Sequence, residues 1–268
     1  MKLMSTRIRP FLLAFYRSFF VILIYVLILQ SMYLYPKFIS TFTTKMRIAS
    51  SASFWFSTIM TVWCHVKCLI KSPGVLRESE FPRIDIRKLE DRENMCMKCN
   101  LLKIKRSHHC SICNRCIIKM DHHCIWINGC VGLYNQKFFI LLNFYTFLMC
   151  ITCEFILMYK IIACIKMQPQ FKSAGMCVIT KTEVVLIIMN AFSSLVFGIF
   201  SFVMLVDQYF AIKTNTTGIE YLKNQRGEIK PFGHSLVDVF GHPFSYLWFL
   251  PIDGYPTTDF SERKNLNA

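Results

Sequence analysis

Four long apolar stretches leave this chain little choice of environment. Phe11 to Tyr35 is interrupted only by Arg17, Ser18, Gln30 and Ser31. Ile48 to Ile70 is weaker and carries His65 and Lys67 near its end, whereas Phe138 to Ile165 and Val184 to Ile212 are the most apolar. Each reaches or passes the roughly 20 residues that cross a bilayer core as a helix. The 268 residues would suit one or two soluble domains by length. Yet 54% are hydrophobic and only 18% charged, against about a quarter charged in a soluble domain. One core cannot hide that much apolar surface. The expected fold class is an α-helical integral membrane protein with four transmembrane helices. A re-entrant helix is the alternative for the second stretch. The first stretch follows Arg7 and Arg9, but it outruns a signal-peptide core and no A-x-A cleavage site follows, so it reads as a retained anchor.

Basic residues orient the spans. The segment from Lys71 to Lys137 holds 13 Lys and Arg, the tail from Lys213 holds 6, and loops 36–47 and 166–183 hold 3 each. Four spans put both termini and the long middle segment on one side, and the positive-inside rule makes that side cytosolic. The expected organisation is 1–70 for the N-terminal segment and first two spans, 71–137 for a cytosolic cysteine-rich domain, 138–212 for the last two spans, and 213–268 for a cytosolic C-terminal region. The net charge of +15 then reflects attraction to anionic lipid headgroups, with no nucleic acid required. In a reducing compartment the cysteines are metal ligands or reactive thiols.

Seven of the thirteen Cys and four of the seven His lie between Cys96 and Cys130. Cys96, Cys99, His109 and Cys116, each advanced by 14 positions, become Cys110, Cys113, His123 and Cys130. The pattern C-x2-C-x9-H-x6-C therefore occurs twice in interleaved copies. Closed structural zinc sites use four tetrahedral Cys and His ligands, so two zinc ions fit with no ligand shared; another partition of the same eight ligands stays open. The cysteine-rich segment is expected to be loop-rich and held by these ions in place of a large core. Asp121, His122, Cys124 and His108 are left over. Cys124 is a nucleophile candidate, His122 its base and Asp121 the group that orients the base. On spacing alone, catalysis and a purely structural knuckle stand level, because adjacent side chains usually diverge.

Asp121-His122-His123-Cys124, in a cysteine-rich segment between the second and third of four spans, resembles the DHHC family of protein S-acyltransferases. The surrounding stretch from Arg106 to Cys124 and Asn128-Gly-Cys-Val-Gly132 carry the same resemblance. So does Thr217-Gly218-Ile219-Glu220, which is similar to the family's Thr-Thr-x-Glu motif. Val239 to Ser245 resembles the C-terminal region of Golgi-type members, implying a Golgi or ER membrane. The resemblance implies transfer of a long fatty acyl group from acyl-CoA to Cys124, with His122 taking the proton and Asp121 orienting it. The chain then passes to cysteine thiols of membrane-associated proteins. It also implies that the two zinc ions are structural and that the acyl chain lies among the membrane helices. Arg106, Arg115 and Lys119 could meet the CoA phosphates or simply lipid headgroups.

Several positions depart from the family pattern. Ile125 replaces a proline after the active cysteine, which implies looser presentation of the thiol. Gly218 stands where a threonine contacts the catalytic aspartate, unless Thr216-Thr217 supplies the motif with one inserted residue. Ser235 replaces a C-terminal asparagine, and Ser72-Pro73-Gly74 replaces Asp-Pro-Gly. Two rival readings fit the same residues. A membrane-bound RING-like ubiquitin ligase would close its pattern with a second C-x2-C, which is lacking after Cys130; a catalytically weak zinc scaffold would not need Cys124. Cys64, Cys68, Cys150, Cys153 and Cys164 read as packing residues, with acylation an alternative for the last three. The tail from 213 should form short elements and end in a polar segment after Pro256.

Overall fold

The computed structural model describes residues 2–77, 95–166 and 177–253, with side chains from Ser18 onward. Arg83, Arg87, Lys88 and Arg92 of the basic middle segment, most of the second short loop, and the segment after Pro256 lie outside the described residues. Four helices account for the apolar stretches: α1 (Lys2–Phe38), α2 (Thr44–Ile70), α3 (Gln136–Lys166) and α4 (Lys181–Lys213). All four are long and apolar enough to cross a membrane. The doubtful second stretch is one continuous helix of 27 residues, about 40 Å long, with no break at which a re-entrant segment would turn. Ile22, Val26 and Leu29 on α1, and Ile188, Phe192 and Ile199 on α4, are exposed. Apolar side chains facing outward suit helices whose solvent is lipid.

The described residues divide into two compact units. The first comprises Met1–Trp63 and Leu142–Leu205. Its core joins Leu34, Tyr35, Phe38 and Phe54 to Met149, Ile156 and Leu157, with Tyr35 stacked on Phe54 at 4.3 Å between ring centroids. Polar bonds cross-link the helices where apolar packing alone would let them slide. Gln30 Nε2 donates to the Leu186 carbonyl at 2.8 Å, Asn190 Nδ2 to Ser31 Oγ at 2.6 Å, and Ser53 meets Thr152 at 2.9 Å. In hydrocarbon such bonds supply the partners that water cannot. Cys150 and Cys153 are buried packing residues, as expected. Cys164 is not one: it forms a disulfide with Cys177, closing the chain between the end of α3 and the start of α4.

The second unit comprises Cys64–Leu141 and Val206–Ala268. Three antiparallel hairpins form its centre: β1 (Met95–Cys96) with β2 (Leu101–Leu102), β3 (Ser107–Cys110) with β4 (Arg115–Ile118), and β5 (His122–Cys124) with β6 (Gly129–Val131). Two small clusters hold them. Leu76, Leu101 and Ile118 pack on Cys96 and Cys116, and Ile117 and Met120 pack on Cys110 and Cys130. Gly132 passes so close to the Ser72-Pro73-Gly74 turn that a Cβ would lie 2.5 Å from the Pro73 carbonyl oxygen, leaving room for glycine alone. The C-terminal chain adds α5 (Gly218–Leu222), α6 (Phe232–Phe240) and a 3-10 turn at Tyr246–Phe249. Lys137 Nζ ties this tail down by donating to the carbonyls of Leu247 and Ile252 at 2.9 and 3.0 Å. Cys64 and Cys68 are buried thiols without a disulfide.

Candidate active site and metal centres

The hairpins share one turn, spaced by 14 residues. Asn100, Asn114 and Asn128 have φ of 52°, 52° and 45°, and asparagine tolerates this left-handed conformation through its short polar side chain. Cys96 and Cys110 open the first two turns, and each C-x2-C closes just before its asparagine. Cys124 opens the third turn, but the place of the second cysteine is held by Ile127, which is fully buried. The nucleophile candidate therefore occupies a knuckle position that lacks its partner. The same 14-residue period runs through Cys96, Cys110 and Cys124 and through the three asparagines.

Strand register explains the interleaving. His109 lies directly across β3–β4 from Cys116, and His123 directly across β5–β6 from Cys130. The two remaining cysteines of each set come from the turn of the preceding hairpin. In each set the four ligand atoms lie within 4.8 Å of one another, which favours the partition read from the repeat over the alternatives. His109 Nδ1 stands 3.2 Å from Cys99 Sγ, 3.6 Å from Cys96 Sγ and 3.9 Å from Cys116 Sγ. His123 Nδ1 stands 3.3 Å from Cys113 Sγ and 3.6 Å from both Cys110 and Cys130 Sγ. Around zinc, with Zn–S near 2.3 Å and Zn–N near 2.0 Å, tetrahedral ligand atoms stand roughly 3.5–3.8 Å apart. Burial, then the neighbouring sulfurs, push Cys116 and Cys130 far up. Thiolates crowded in this way repel one another, and a bound cation would relieve that repulsion. Both clusters fit zinc.

Beside the second cluster, the strand resolves the problem of adjacency. Residues 122 and 124 are two apart on β5, so their side chains share a face while His123 points to the other, toward its sulfurs. His122 Nδ1 donates to Asp121 Oδ2 at 2.9 Å. An ionised carboxylate only accepts, so this bond keeps a proton on Nδ1 and leaves Nε2 as the nitrogen that meets Cys124. Burial pulls the imidazole pKa down, but hydrogen bonds with Asp121 and Cys124 outweigh it and raise His122 to about 9. Asp121 is buried and keeps its charge: burial pushes it up, and the bonds from His122, Gly218 and Gln208 more than reverse that. Cys124 is itself buried. Asp121, His122 and Cys124 thus form a connected carboxylate, imidazole and thiol.

Two of the departures read from the sequence, Ile125 and Gly218, make backbone bonds of their own. The Ile125 carbonyl accepts the Asn128 N–H at 3.2 Å and closes the turn without proline. His65 Nε2, on α2, holds the next carbonyl, that of Trp126, at 3.0 Å. Gly218 does reach the aspartate, through its backbone: its N–H donates to Asp121 Oδ1 at 2.6 Å. In the inserted register the second threonine is Thr217, and its Oγ1 accepts the Glu220 N–H at 3.4 Å; Thr216 bonds Thr214 and Gly227. Thr217 and Glu220 form a capping box on α5, and Ser235 Oγ is buried without a hydrogen-bond partner among the described residues.

Of the basic residues considered for CoA, Arg106 is already committed. Its guanidinium forks onto Glu220 at 2.7 and 2.8 Å and holds Asn215 at 2.9 Å. Arg115 is exposed on β4, and Lys119 is half-buried. Burial, then repulsion from Arg106, lowers Lys119 to about 8. Sequence reasoning missed Gln208, which donates to Asp121 Oδ2 at 2.8 Å. A lone glutamine near the end of an apolar run carries no motif.

Four helices capable of spanning a membrane, two zinc-fitting knuckles and a thiol paired to an imidazole define a membrane-bound zinc-knuckle thiol protein. The DHHC palmitoyltransferase family model matches residues 89–225, about half of the chain. Palmitoyltransferase ZDHHC3 of Rattus norvegicus is 33% identical over 193 residues, covering 70% of this chain and 64% of the relative. Palmitoyltransferase ZDHHC7 of Mus musculus is 31% identical over 237 residues, covering 82% and 75%. Palmitoyltransferase ZDHHC21 of Bos taurus is 40% identical over 190 residues, covering 69% of each. The chain belongs to the DHHC palmitoyltransferase family. Its match spans just under two thirds of the length of the ZDHHC3 relatives.

Proposed function

We propose that this chain is a protein-cysteine S-palmitoyltransferase that works through an acyl-enzyme on Cys124. The observation that carries the reading is the shared face of His122 and Cys124 on one strand, with His122 held by Asp121 at 2.9 Å. Cys124 Sγ attacks the thioester carbonyl of a long-chain acyl-CoA. The bond between that carbonyl carbon and the CoA sulfur breaks, and CoA leaves with the proton held on His122. A cysteine thiol of a membrane-associated protein then attacks the Cys124 thioester, gives its proton to His122 and frees Cys124. Asp121 keeps the imidazole in the useful tautomer through both transfers. Two zinc ions, bound by Cys96, Cys99, His109 and Cys116 and by Cys110, Cys113, His123 and Cys130, serve as structural braces for the hairpins. Lys119 and Arg115 are the basic side chains left to meet the CoA phosphates, and an anion beside Lys119 would restore the charge that burial weakens.

The protein is a multi-pass resident of the Golgi or ER membrane with both termini and segment 71–137 in the cytosol. The basic excess of that segment supports this orientation. So does its set of thiols that must stay reduced, against the Cys164–Cys177 disulfide in the other loop. The test is purified, zinc-loaded protein incubated with a fatty acyl-CoA probe. Wild type should take a hydroxylamine-sensitive label that Cys124→Ser lacks. Equal labelling of the two would reject the acyl-enzyme. A wild type that binds two zinc ions and takes no label would return the scaffold reading.

A further inference from the structure

The carboxylate of Asp121 is held by more than the histidine it orients. Gly218 has no side chain, so it fixes Oδ1 alone, through its N–H at 2.6 Å. Oδ2 receives His122 Nδ1 at 2.9 Å and, independently, Gln208 Nε2 at 2.8 Å. Gln208 lies near the end of α4 and is almost fully buried, at 1% exposure. Its amide could present either end to a carboxylate, and only the NH2 end makes a bond. Gln136, buried at the first turn of α3, removes that freedom by donating from Nε2 to Gln208 Oε1 at 3.1 Å.

We propose that Gln136 and Gln208 form a two-amide relay that positions Asp121, making Gln208 a positioning residue for Cys124 acylation. The relay rests on the acyl-transfer reading. Its chemistry follows from donor and acceptor directions. Gln136 sets the orientation of the Gln208 amide, the amide sets Oδ2, and Gly218 sets Oδ1. With both oxygens pinned by groups that do not react, the carboxylate plane stays fixed when the His122 proton moves. Without Gln208, Oδ2 is held only by the moving partner, and the carboxyl group can turn about its Cβ–Cγ bond. Neither glutamine touches the thiol or the acyl group; each acts through Asp121.

The relay predicts a specific pattern of coupling. Gln208→Met keeps the length of the side chain and removes the donor. A hydrogen bond to a charged group accounts for roughly a ten- to hundredfold change, so single-turnover acylation of Cys124 should slow by about tenfold or more with two zinc ions still bound. In an Asp121→Asn background the same change should alter the rate less than about twofold, because a residue acting only through Asp121 has nothing left to act on. Gln136→Met should slow acylation about threefold by itself and add little to Gln208→Met. A wild-type rate in Gln208→Met overturns the relay, and so does a loss of the same size in Asp121→Asn, which would mark Gln208 as a packing residue. If Gln208→Met loses zinc, Gln136→Met decides: a wild-type rate there rejects the proposal. A wild type that takes no acyl group overturns the acyl-transfer reading itself, an outcome separate from a failed relay in an active enzyme.

Discussion

His122 and Cys124 point to the same side of β5, and the residue between them, His123, points away to the second zinc-fitting cluster. One three-residue strand therefore serves two clusters, and its alternation keeps His122 and His123 apart. Replacing His122 should spare the metal and slow the chemistry. His122→Gln is expected to bind two zinc ions while acylating Cys124 at least about a hundredfold more slowly, the scale of a lost general base. Zinc analysis beside single-turnover labelling checks this. Wild-type labelling would remove His122 from the mechanism.

The third hairpin lacks the second cysteine of its knuckle. Ile127 fills that place and is buried at 2% exposure. Ile127→Cys would set a thiol relative to Cys124 as Cys113 stands to Cys110. Mild oxidation should then abolish labelling of the variant, a reductant should restore it, and wild type should be unaffected. A variant as resistant to oxidation as wild type would show that the third turn does not share the knuckle geometry.

Removing a zinc ligand should act through folding. Cys99 and Cys113 each close a knuckle and stand 3.2 and 3.3 Å from the histidine of their set. Cys99→Ala and Cys113→Ala are each expected to lower zinc from two ions per chain and to reduce folded protein at least about tenfold, since these hairpins have little core to fall back on. Full zinc content in Cys99→Ala would reject the ligand partition.

Arg106 and Glu220 carry a pH-dependent share of stability. Burial pushes the Glu220 carboxyl up, but the Arg106 bond and the Thr217 N–H outweigh it and leave the pKa below the usual 4.5. A depressed carboxylate contributes stability that is complete above the unfolded value and is lost as pH falls through the folded one. Glu220→Gln should cost on the order of 2–3 kcal/mol near neutrality, somewhat under the range for fully buried pairs, because Arg106 is 21% exposed. The difference from wild type should stay constant above pH 5 or so and shrink below about 4.5. Thermal inactivation midpoints across pH measure it, and a constant difference down to pH 3 would count against the ion pair.

The Cys164–Cys177 pair should be oxidised in protein isolated from cells with its free thiols blocked. Peptide mapping without reduction is expected to find the two cysteines linked, and mapping after reduction to find them separate. Free thiols at both positions would place their loop on a reducing side and remove one support for the orientation.

Composition and order alone disclosed the four apolar runs, the clustering of basic residues between Lys71 and Lys137, and the 14-residue repeat of cysteine and histidine, because each depends on local chemistry. An apolar run of sufficient length needs lipid whatever it packs on, and ligands 14 residues apart repeat whatever the fold. Asp121, His122 and Cys124 were legible as a group, but their geometry was not. Only the strand at β5 decided that residues 122 and 124 share a face. Gln208 and Gln136 lay beyond sequence reasoning because they are 87 and 15 positions from Asp121 and resemble any polar residue at a helix end. Arg106 looked available for a phosphate until folding brought Glu220 to it across 114 positions. Cys164 looked like packing until the chain returned with Cys177. In each case the deciding partner is distant in sequence, and a hydrogen bond, ion pair or disulfide depends on distance in space.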